Sequence, residues 1–124
     1  MDHIKKYEIP KSESNGIEKI QVFGKNGYIE YGDGTMSVGS VSPKLRTCAL
    51  RCSNEVTYYI IEASAAKVYW GAEPENMSNV AEIQPDDVLI FGPDEWYCFS
   101  VDTIDGKLSF TEFIPTDNVQ FFNA

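Results

Sequence analysis

Short runs of apolar, β-branched and aromatic residues recur along most of the chain, separated by clusters of glycine, proline, asparagine and aspartate. Such runs between turn-forming residues are typical of β-strands. No segment keeps an apolar period of 3.6 residues, so helices are not favoured. The pattern predicts an all-β protein with nine strands: 17–23, 27–31, 36–42, 45–52, 56–62, 67–70, 88–91, 96–101 and 107–114.

Alternation within the strands predicts which side chains share a face, because successive side chains of a strand point to opposite sides of the sheet. Alternation places two such sets each on one face, Val56, Tyr58, Ile60 and Glu62 in one strand and Tyr97, Phe99 and Val101 in another, and these side chains line the interior if their faces point inward. In 107–114, Leu108 and Phe110 fit the alternation, whereas Phe113 slips out of it near the end, which a β-bulge would explain.

Nine short strands in 124 residues must cover two faces with one core, so a β-sandwich or a barrel is expected. The length and the 43% hydrophobic content fit one domain, 1–124. The best helical candidates are a turn at 74–78 and the first dozen residues. The segment 10–16, PKSESNG, is predicted to be a surface loop after a short N-terminal arm.

Charge and cysteine content limit the classes of function. The formal net charge of −9 disfavours nucleic acid, because phosphate binding needs clustered lysine and arginine. No segment is long and apolar enough to cross a bilayer and no signal peptide is recognisable, so a cytoplasmic protein is expected. The odd number of cysteines, Cys48, Cys52 and Cys98, predicts free thiols in a reducing compartment.

Two stretches resemble the signatures of the cupin superfamily. In PDDVLIFGPDEWYCF, residues 85–99, a turn leads into a buried strand, a second turn and a strand in which Tyr97 stands where the family has a histidine. Upstream, VSPKLRTCALRCSNEVTYYIIEA, residues 41–63, resembles the first signature, with its proline-led turn at Pro43. The resemblance covers 35–101 and implies a cupin-like double-stranded β-helix, a jelly-roll barrel.

The resemblance also implies where metal ligands would stand, and this sequence lacks them. The two histidines of the first signature would fall within 49–52, and the glutamate ligand at Glu55 or Val56. The chain's one histidine, His3, lies in the N-terminal arm. Because metal sites of this kind need three or four imidazole and carboxylate ligands, we expect neither a metal nor another cofactor.

A small barrel can still hold one small ligand inside. The candidate ligand-binding residues are Tyr97, Tyr58, Arg51, Phe99 and Cys48. Tyr97, if buried, needs a hydrogen-bond partner, which is either a ligand or Arg51. Arg46 and Arg51 are five residues apart, so only one of them can face the interior, and the sequence leaves open which.

Three functions remain open, and no catalytic residue is identified. The favoured one is a metal-free protein that binds a small polar molecule, a sugar or a carboxylate, in the barrel. The alternatives are a structural or interaction subunit, using the acidic surface and the aromatics of NVQFFNA, and a sugar isomerase or epimerase, which the missing histidine disfavours. A homodimer is expected, paired through sheet edges and an N-terminal arm carrying Ile4, Tyr7 and Ile9.

Overall fold

The computed structural model of the protein describes residues 1, 5–23, 34–116 and 119–124; of Lys6 and Phe23 only the backbone is described. These residues form one 3-10 turn, Lys6–Glu8, and eleven strands. The strands are β1 Lys11–Ser14, β2 Ile17–Phe23, β3 Thr35–Val41, β4 Leu50–Cys52, β5 Val56–Ser64, β6 Ala66–Gly71, β7 Asn79–Glu82, β8 Val88–Phe91, β9 Trp96–Val101, β10 Lys107–Ile114 and β11 Phe121–Asn123.

The strands pair into two antiparallel sheets that enclose the core. Sheet A has the order β1-β2-β3-β10-β5-β8, and sheet B has the order β11-β4-β9-β6-β7. Alternating side chains of both sheets point into the space between them, as two packed sheets require. The largest fully buried side chains are aromatic: Tyr58, Tyr97, Phe99 and Phe110. The predicted all-β jelly roll is confirmed.

Strand β10 lies inside sheet A, and its alternation differs from the predicted one. Its inward residues are Leu108, Phe110, Glu112 and Ile114, all buried, while Phe113 is 42% exposed. The pairing of β10 with β5 shifts register between Ser109 and Phe110. The expected bulge is therefore present, but earlier than the slip in the pattern, which arises because a buried glutamate occupies an inward position.

Close contact between β3 and β10 depends on Gly39. A Cβ atom added at Gly39 would lie 2.7 Å from Cε1 of Phe110, well inside van der Waals contact. Phe110 and Gly39 are cross-strand partners in the sheet. The absent side chain thus makes room for the ring of Phe110 in the core.

The segment predicted as a surface loop is a strand and a turn. Residues Lys11–Ser14 pair with Ile17–Ile20 through a turn in which Asn15 and Gly16 have φ values of 58° and 85°. Asn-Gly is the preferred pair for a two-residue hairpin turn with positive φ at both positions. Strand β1 is exposed along its whole length, so its hydrophobic pattern gave no signal.

Other expectations were met only in part. Of the two helical candidates, only Lys6–Glu8 forms a turn of 3-10 helix, and 74–78 does not become helical. The predicted strand 45–52 pairs as a strand only at Leu50–Cys52, with an isolated bridge at Arg46. The predicted strand 27–31 lies outside the described residues. Strands β7 and β11 were not predicted, since both are short and mostly exposed.

Two expectations from composition can be compared with the structure. Cys48, Cys52 and Cys98 are free thiols, as predicted. No helix in the described part of the chain is long and apolar enough to span a membrane.

Candidate functional site

Four polar side chains form a continuous hydrogen-bonded chain inside the barrel. Lys19 Nζ lies 2.9 Å from both carboxylate oxygens of Glu112. The Tyr58 hydroxyl donates to Glu112 Oε2 at 2.7 Å, and the Tyr58 and Tyr97 hydroxyl oxygens are 2.6 Å apart. These residues, Lys19, Glu112, Tyr58 and Tyr97, are referred to below as the polar chain.

The strands bring the polar chain together from both sheets. Glu112 in β10 and Tyr58 in β5 are cross-strand partners, so their side chains stand next to each other on the inner face of sheet A. Lys19 comes from β2 in the same sheet, and Tyr97 from β9 in sheet B. The bond between the two phenols therefore connects the two sheets across the core.

The direction of each hydrogen bond follows from the number of protons. A phenol has one proton to donate, and that of Tyr58 goes to Glu112. In the bond between the phenols, the Tyr97 hydroxyl must therefore be the donor and the Tyr58 oxygen the acceptor. The Tyr97 oxygen can still accept a hydrogen bond. In the described part of the chain, no buried side-chain nitrogen or oxygen lacks a partner.

The polar chain runs from the core to the surface. Tyr58 and Tyr97 are 0% exposed and Glu112 is 3% exposed, whereas the side chain of Lys19 is 23% exposed. The Lys19 ammonium lies 4.8 Å from the centre of the Phe121 ring, which packs against the core. The accessible end of the chain is thus an ammonium group beside an aromatic ring.

Aromatic rings surround the inner end. Phe91 stacks on Tyr97 with ring centres 4.1 Å apart and an angle of 8° between the planes. Phe99 and Phe110 meet Tyr58 edge to face, at 5.2 and 5.0 Å. Such offset and edge contacts are the favourable geometries for aromatic pairs. The rings exclude water from the two hydroxyls.

Burial determines the protonation state of the phenols. Desolvation raises the pKa of Tyr58 well above its usual value, and the nearby Tyr97 and Glu112 raise it further. Desolvation also raises the pKa of Tyr97 well above its usual value. Both hydroxyls are therefore neutral at physiological pH, where they donate and accept hydrogen bonds rather than release protons.

Comparison with known proteins gives the fold. No protein-family model matches the sequence, and no curated protein matches it by sequence. Among solved structures, the DMSP lyase DddQ from Ruegeria pomeroyi DSS-3 has a TM-score of 0.77 at 12% identity, over 95% of this chain and 62% of that one. This chain therefore spans less than two thirds of the lyase chain.

Two further solved structures are matched by this chain over most of their own length. The polyketide cyclase RemF from Streptomyces resistomycificus has a TM-score of 0.73 at 15% identity, over 100% of this chain and 85% of that one. A cupin superfamily protein from Desulfitobacterium hafniense DCB-2 has a TM-score of 0.57 at 10% identity, over 86% of this chain and 83% of that one. The chain has the cupin fold. At such identities the likeness concerns the fold and not the activity.

Within the cupin fold, three of the five predicted site residues come together. Tyr97, Tyr58 and Phe99 are fully buried side by side in the barrel. The expected polar partner of Tyr97 is present, but it is the Tyr58 hydroxyl, which was not predicted for this role. Whether these residues bind a ligand remains a prediction.

Arg51 and Cys48 do not join them. In β4 the inward residues are Leu50 and Cys52, so alternation turns Arg51 outward. Its guanidinium lies 4.3 Å from the Phe122 ring centre and donates to the Pro93 carbonyl oxygen at 3.0 Å. Cys48 is exposed. Arg51, one of the two partners considered for Tyr97, therefore does not contact it.

Arg46 is also outside the barrel of this cupin fold. Its guanidinium carbon lies 4.2 Å from the Tyr69 ring centre on the outer side of sheet B. Of the two arginines that were candidates for the interior, neither reaches it. Among the described residues, the cation that does reach it is Lys19, for which the one indication in the sequence is its place in the alternation with Ile17.

The described residues of the interior of this cupin fold do not provide the donor set of a metal site. Among the described residues, no group of three or more histidine, cysteine, aspartate and glutamate side chains is close enough to hold a metal ion. The one carboxylate of the polar chain already binds an ammonium group, and its phenols are protonated. His3 lies outside the described residues, so the absence of a metal stays a prediction.

Proposed function

We propose that this protein binds a small polar molecule, a sugar or a carboxylate, in its barrel, and that it does so without a metal. The observation that carries the proposal is the polar chain, a buried row of donors and acceptors inside aromatic walls with its accessible end at Lys19. A few convergent polar groups in a mostly apolar enclosure are characteristic of small-molecule sites.

The chemistry at the accessible end suits a polyhydroxylated or carboxylated ligand. The Lys19 ammonium donates only and the Glu112 carboxylate accepts only. A sugar hydroxyl can accept from the first and donate to the second, while a ligand carboxylate can pair with Lys19. The Phe121 ring beside Lys19 offers an apolar surface for the carbon face of a sugar.

Binding is favoured over acid–base catalysis. A general acid or base works best when its pKa lies near the working pH. Burial moves the pKa of both Tyr58 and Tyr97 further from neutrality. The positions at 49–52 and Tyr97, where the cupin signatures have histidines, provide none here. A sugar isomerase or epimerase activity therefore has less support.

Calorimetric titration of the wild-type protein with D-glucose, D-galactose, D-glucuronate and L-lactate tests ligand binding. Tyr97→Phe removes the hydrogen bond that Tyr97 donates to Tyr58, which helps to hold Tyr58 and Glu112 in place, so it should weaken binding of any probe that binds, at a stability cost of at most about 1–2 kcal/mol. Tyr59→Phe is the matched control, because Tyr59 is an exposed phenol bonded to Asp86 on the outer face. The affinity of Tyr59→Phe for the probe should equal that of the wild type.

Two results would count against the proposal. One is that none of the four probes binds and that native mass spectrometry of protein purified without added ligand shows no mass beyond the chain. The other is stoichiometric iron, manganese, nickel or zinc by elemental analysis of the untagged protein, which would refute the metal-free part.

An interaction role is the second candidate, and the outer face of sheet A favours it. Five large apolar side chains are exposed on neighbouring strands of this face: Tyr59, Ile61, Val88, Ile90 and Phe113. Strand β8 forms the edge of sheet A, and an exposed apolar edge strand is a template for pairing. We propose a second copy of the chain as the occupant, since a twofold axis at β8 would bury the same surface on both copies.

A further inference from the structure

A groove of about 310 Å³ lies on the outer side of sheet B, where β6 and β9 meet the segment 44–46. It is separate from the polar chain, none of whose residues lines it. Its polar wall consists of Lys44, Arg46, Tyr69, Ser100 and Asp102. The volume is at the lower end of the range of small-molecule sites, about 300–1,000 Å³.

The groove is locally cationic, although the net charge of the chain is −9. Its one acid, Asp102, is already held by Lys67 at 3.3 Å and by the Ser100 hydroxyl at 2.9 Å. Neither Lys44 nor Arg46 forms an ion pair with any described carboxylate. Two positive charges therefore remain without a counter-charge from the described residues.

The guanidinium of Arg46 is held in place but keeps its donors free. Stacking on the Tyr69 ring, 4.2 Å from the ring centre, fixes one face of the guanidinium plane. Its N–H groups make no hydrogen bond to a described side chain or backbone carbonyl. A planar fork of free N–H donors matches the two oxygens of a carboxylate or phosphate.

Lys44 occupies a backbone conformation that is unfavourable for lysine. Its φ is +62°, directly after Pro43 in a turn, where glycine would avoid the steric cost. Non-glycine residues with positive φ cluster at active sites and ligand-binding segments. Here the side chain at the strained position supplies one of the two unpaired cations of the groove.

From these observations we infer a second ligand site on this protein, outside the barrel, which binds a small organic anion through Lys44 and Arg46. The shared chemistry is a phosphate or carboxylate group that accepts hydrogen bonds from the ammonium and from the guanidinium. The site is independent of the ligand proposed for the barrel.

Amide NMR of the labelled protein tests the site. The protein is titrated with sodium phosphate and, separately, with sodium acetate, at pH 7 and with ionic strength held constant by sodium chloride. Saturable shifts of the amides at 44–46, 69 and 100–102 are expected with at least one of the two anions. Tighter binding of phosphate identifies a phosphorylated ligand, and tighter binding of acetate identifies a carboxylate.

Two variants show whether the cations are responsible. Lys44→Gly and Arg46→Gln should each lower the affinity for the anion by about tenfold, which is the effect of losing one charge-assisted hydrogen bond. Because glycine adopts positive φ freely, Lys44→Gly should leave the melting temperature unchanged or raise it. Lys11→Gln, which removes a charge from an exposed pair with Glu18, should not change the affinity.

The inference is overturned if neither anion produces saturable shifts at the groove. It is equally overturned if both Lys44→Gly and Arg46→Gln bind phosphate and acetate as the wild type does. If Lys11→Gln weakens binding as much as Arg46→Gln, the effect reflects net charge and the groove is not a site.

Discussion

Among the described residues, Glu112 is the one charged residue that is buried. A buried carboxylate is costly unless a counter-charge and hydrogen bonds compensate it. Glu112 has both, since it accepts two bonds from Lys19 and one from Tyr58. Its conformation is therefore fixed by three hydrogen bonds from two residues, Lys19 and Tyr58, on strands that are distant in the sequence.

Replacing Glu112 by glutamine should destabilise the protein. The substitution Glu112→Gln keeps the shape but removes the charge, so Lys19 loses its counter-ion and Tyr58 a strong acceptor. We expect a loss of about 1–3 kcal/mol in the free energy of unfolding, measured by urea denaturation. In the control, Glu18→Gln breaks an exposed pair with Lys11 and should cost less than about 1 kcal/mol. Equal losses in the two variants would show that burial adds nothing to the Lys19–Glu112 pair.

The sequence predicted the aromatic half of the site but not its charged half. Alternation in hydrophobic strands placed Tyr58, Tyr97 and Phe99 inward, and they are inward. Glu112 was missed because a charged residue in a strand is normally assigned to the solvent side. Strict alternation from Leu108 and Phe110 would have placed Glu112 inward, so the signal was present in the spacing.

At the scale of elements, the contact between β3 and β10 should be sensitive to one added methyl group. Gly39→Ala places a Cβ atom 2.7 Å from the ring of Phe110, which is buried against Tyr58 and Phe99 and cannot move away freely. Overpacking of this kind costs about 1–3 kcal/mol. Thermal and urea unfolding of the variant should show this loss.

Gly92→Ala provides the comparison, because the nearest atom to its added Cβ is a Glu95 side-chain oxygen at 3.6 Å. Its stability should stay within about 0.5 kcal/mol of the wild type. A Gly39→Ala variant as stable as Gly92→Ala would mean that β3 and β10 can separate without cost.

The accuracy of the strand predictions depended on burial. The bounds of β2, β8, β9 and β10 agree with the predicted runs, since apolar residues make up at least half of each of these strands. Strands β1 and β7 are exposed along their whole length and have no such pattern. They form because neighbouring strands provide backbone partners, and hydrophobic periodicity cannot report that.

At the scale of the whole molecule, the buried phenols predict loss of stability in alkali. Folding raises the pKa of Tyr58 and Tyr97 above the unfolded value of about 10. The contribution of these two phenols to the free energy of unfolding is therefore complete below pH ~10. It is lost as pH rises above that value, because the two hydroxyls ionise more easily in the unfolded chain than in the folded protein. Urea denaturation from pH 7 to 11 should show this decline in the free energy of unfolding. The decline with pH should be less steep in Tyr58→Phe, which has one buried phenol fewer.

Absorbance of tyrosinate gives an independent measurement of the same effect. Tyr58 and Tyr97 should ionise only when the protein unfolds, because burial raises the pKa of both hydroxyls well above its usual value. If all seven tyrosines titrate together near pH 10 without unfolding, the two phenols are not shielded as the structure indicates.

The proposed pairing of two copies also belongs to the whole molecule. Light scattering of the wild-type protein at tens of micromolar should give the mass of a dimer, near twice 13.9 kDa. Ile90→Lys, which places a charge on the exposed side of β8, should give the monomer. Deletion of residues 1–10 separates this surface from the predicted N-terminal arm: a dimer that persists assigns the interface to β8. A monomeric wild type would refute pairing altogether.

The position of β10 has a consequence for the order in which the structure can form. Strand β10 stands between β3 and β5, and its residue Leu108 pairs with both Val41 and Ala63. These contacts span long stretches of chain, and closing such long loops slows folding. On the ribosome, β2 and β3 can pair early, but β3 and β5 have no strand between them until residues 107–114 have emerged. The nascent chain therefore carries unpaired strand edges on β3 and β5 until β10 emerges, and we expect folding to follow the emergence of β10 rather than to proceed gradually.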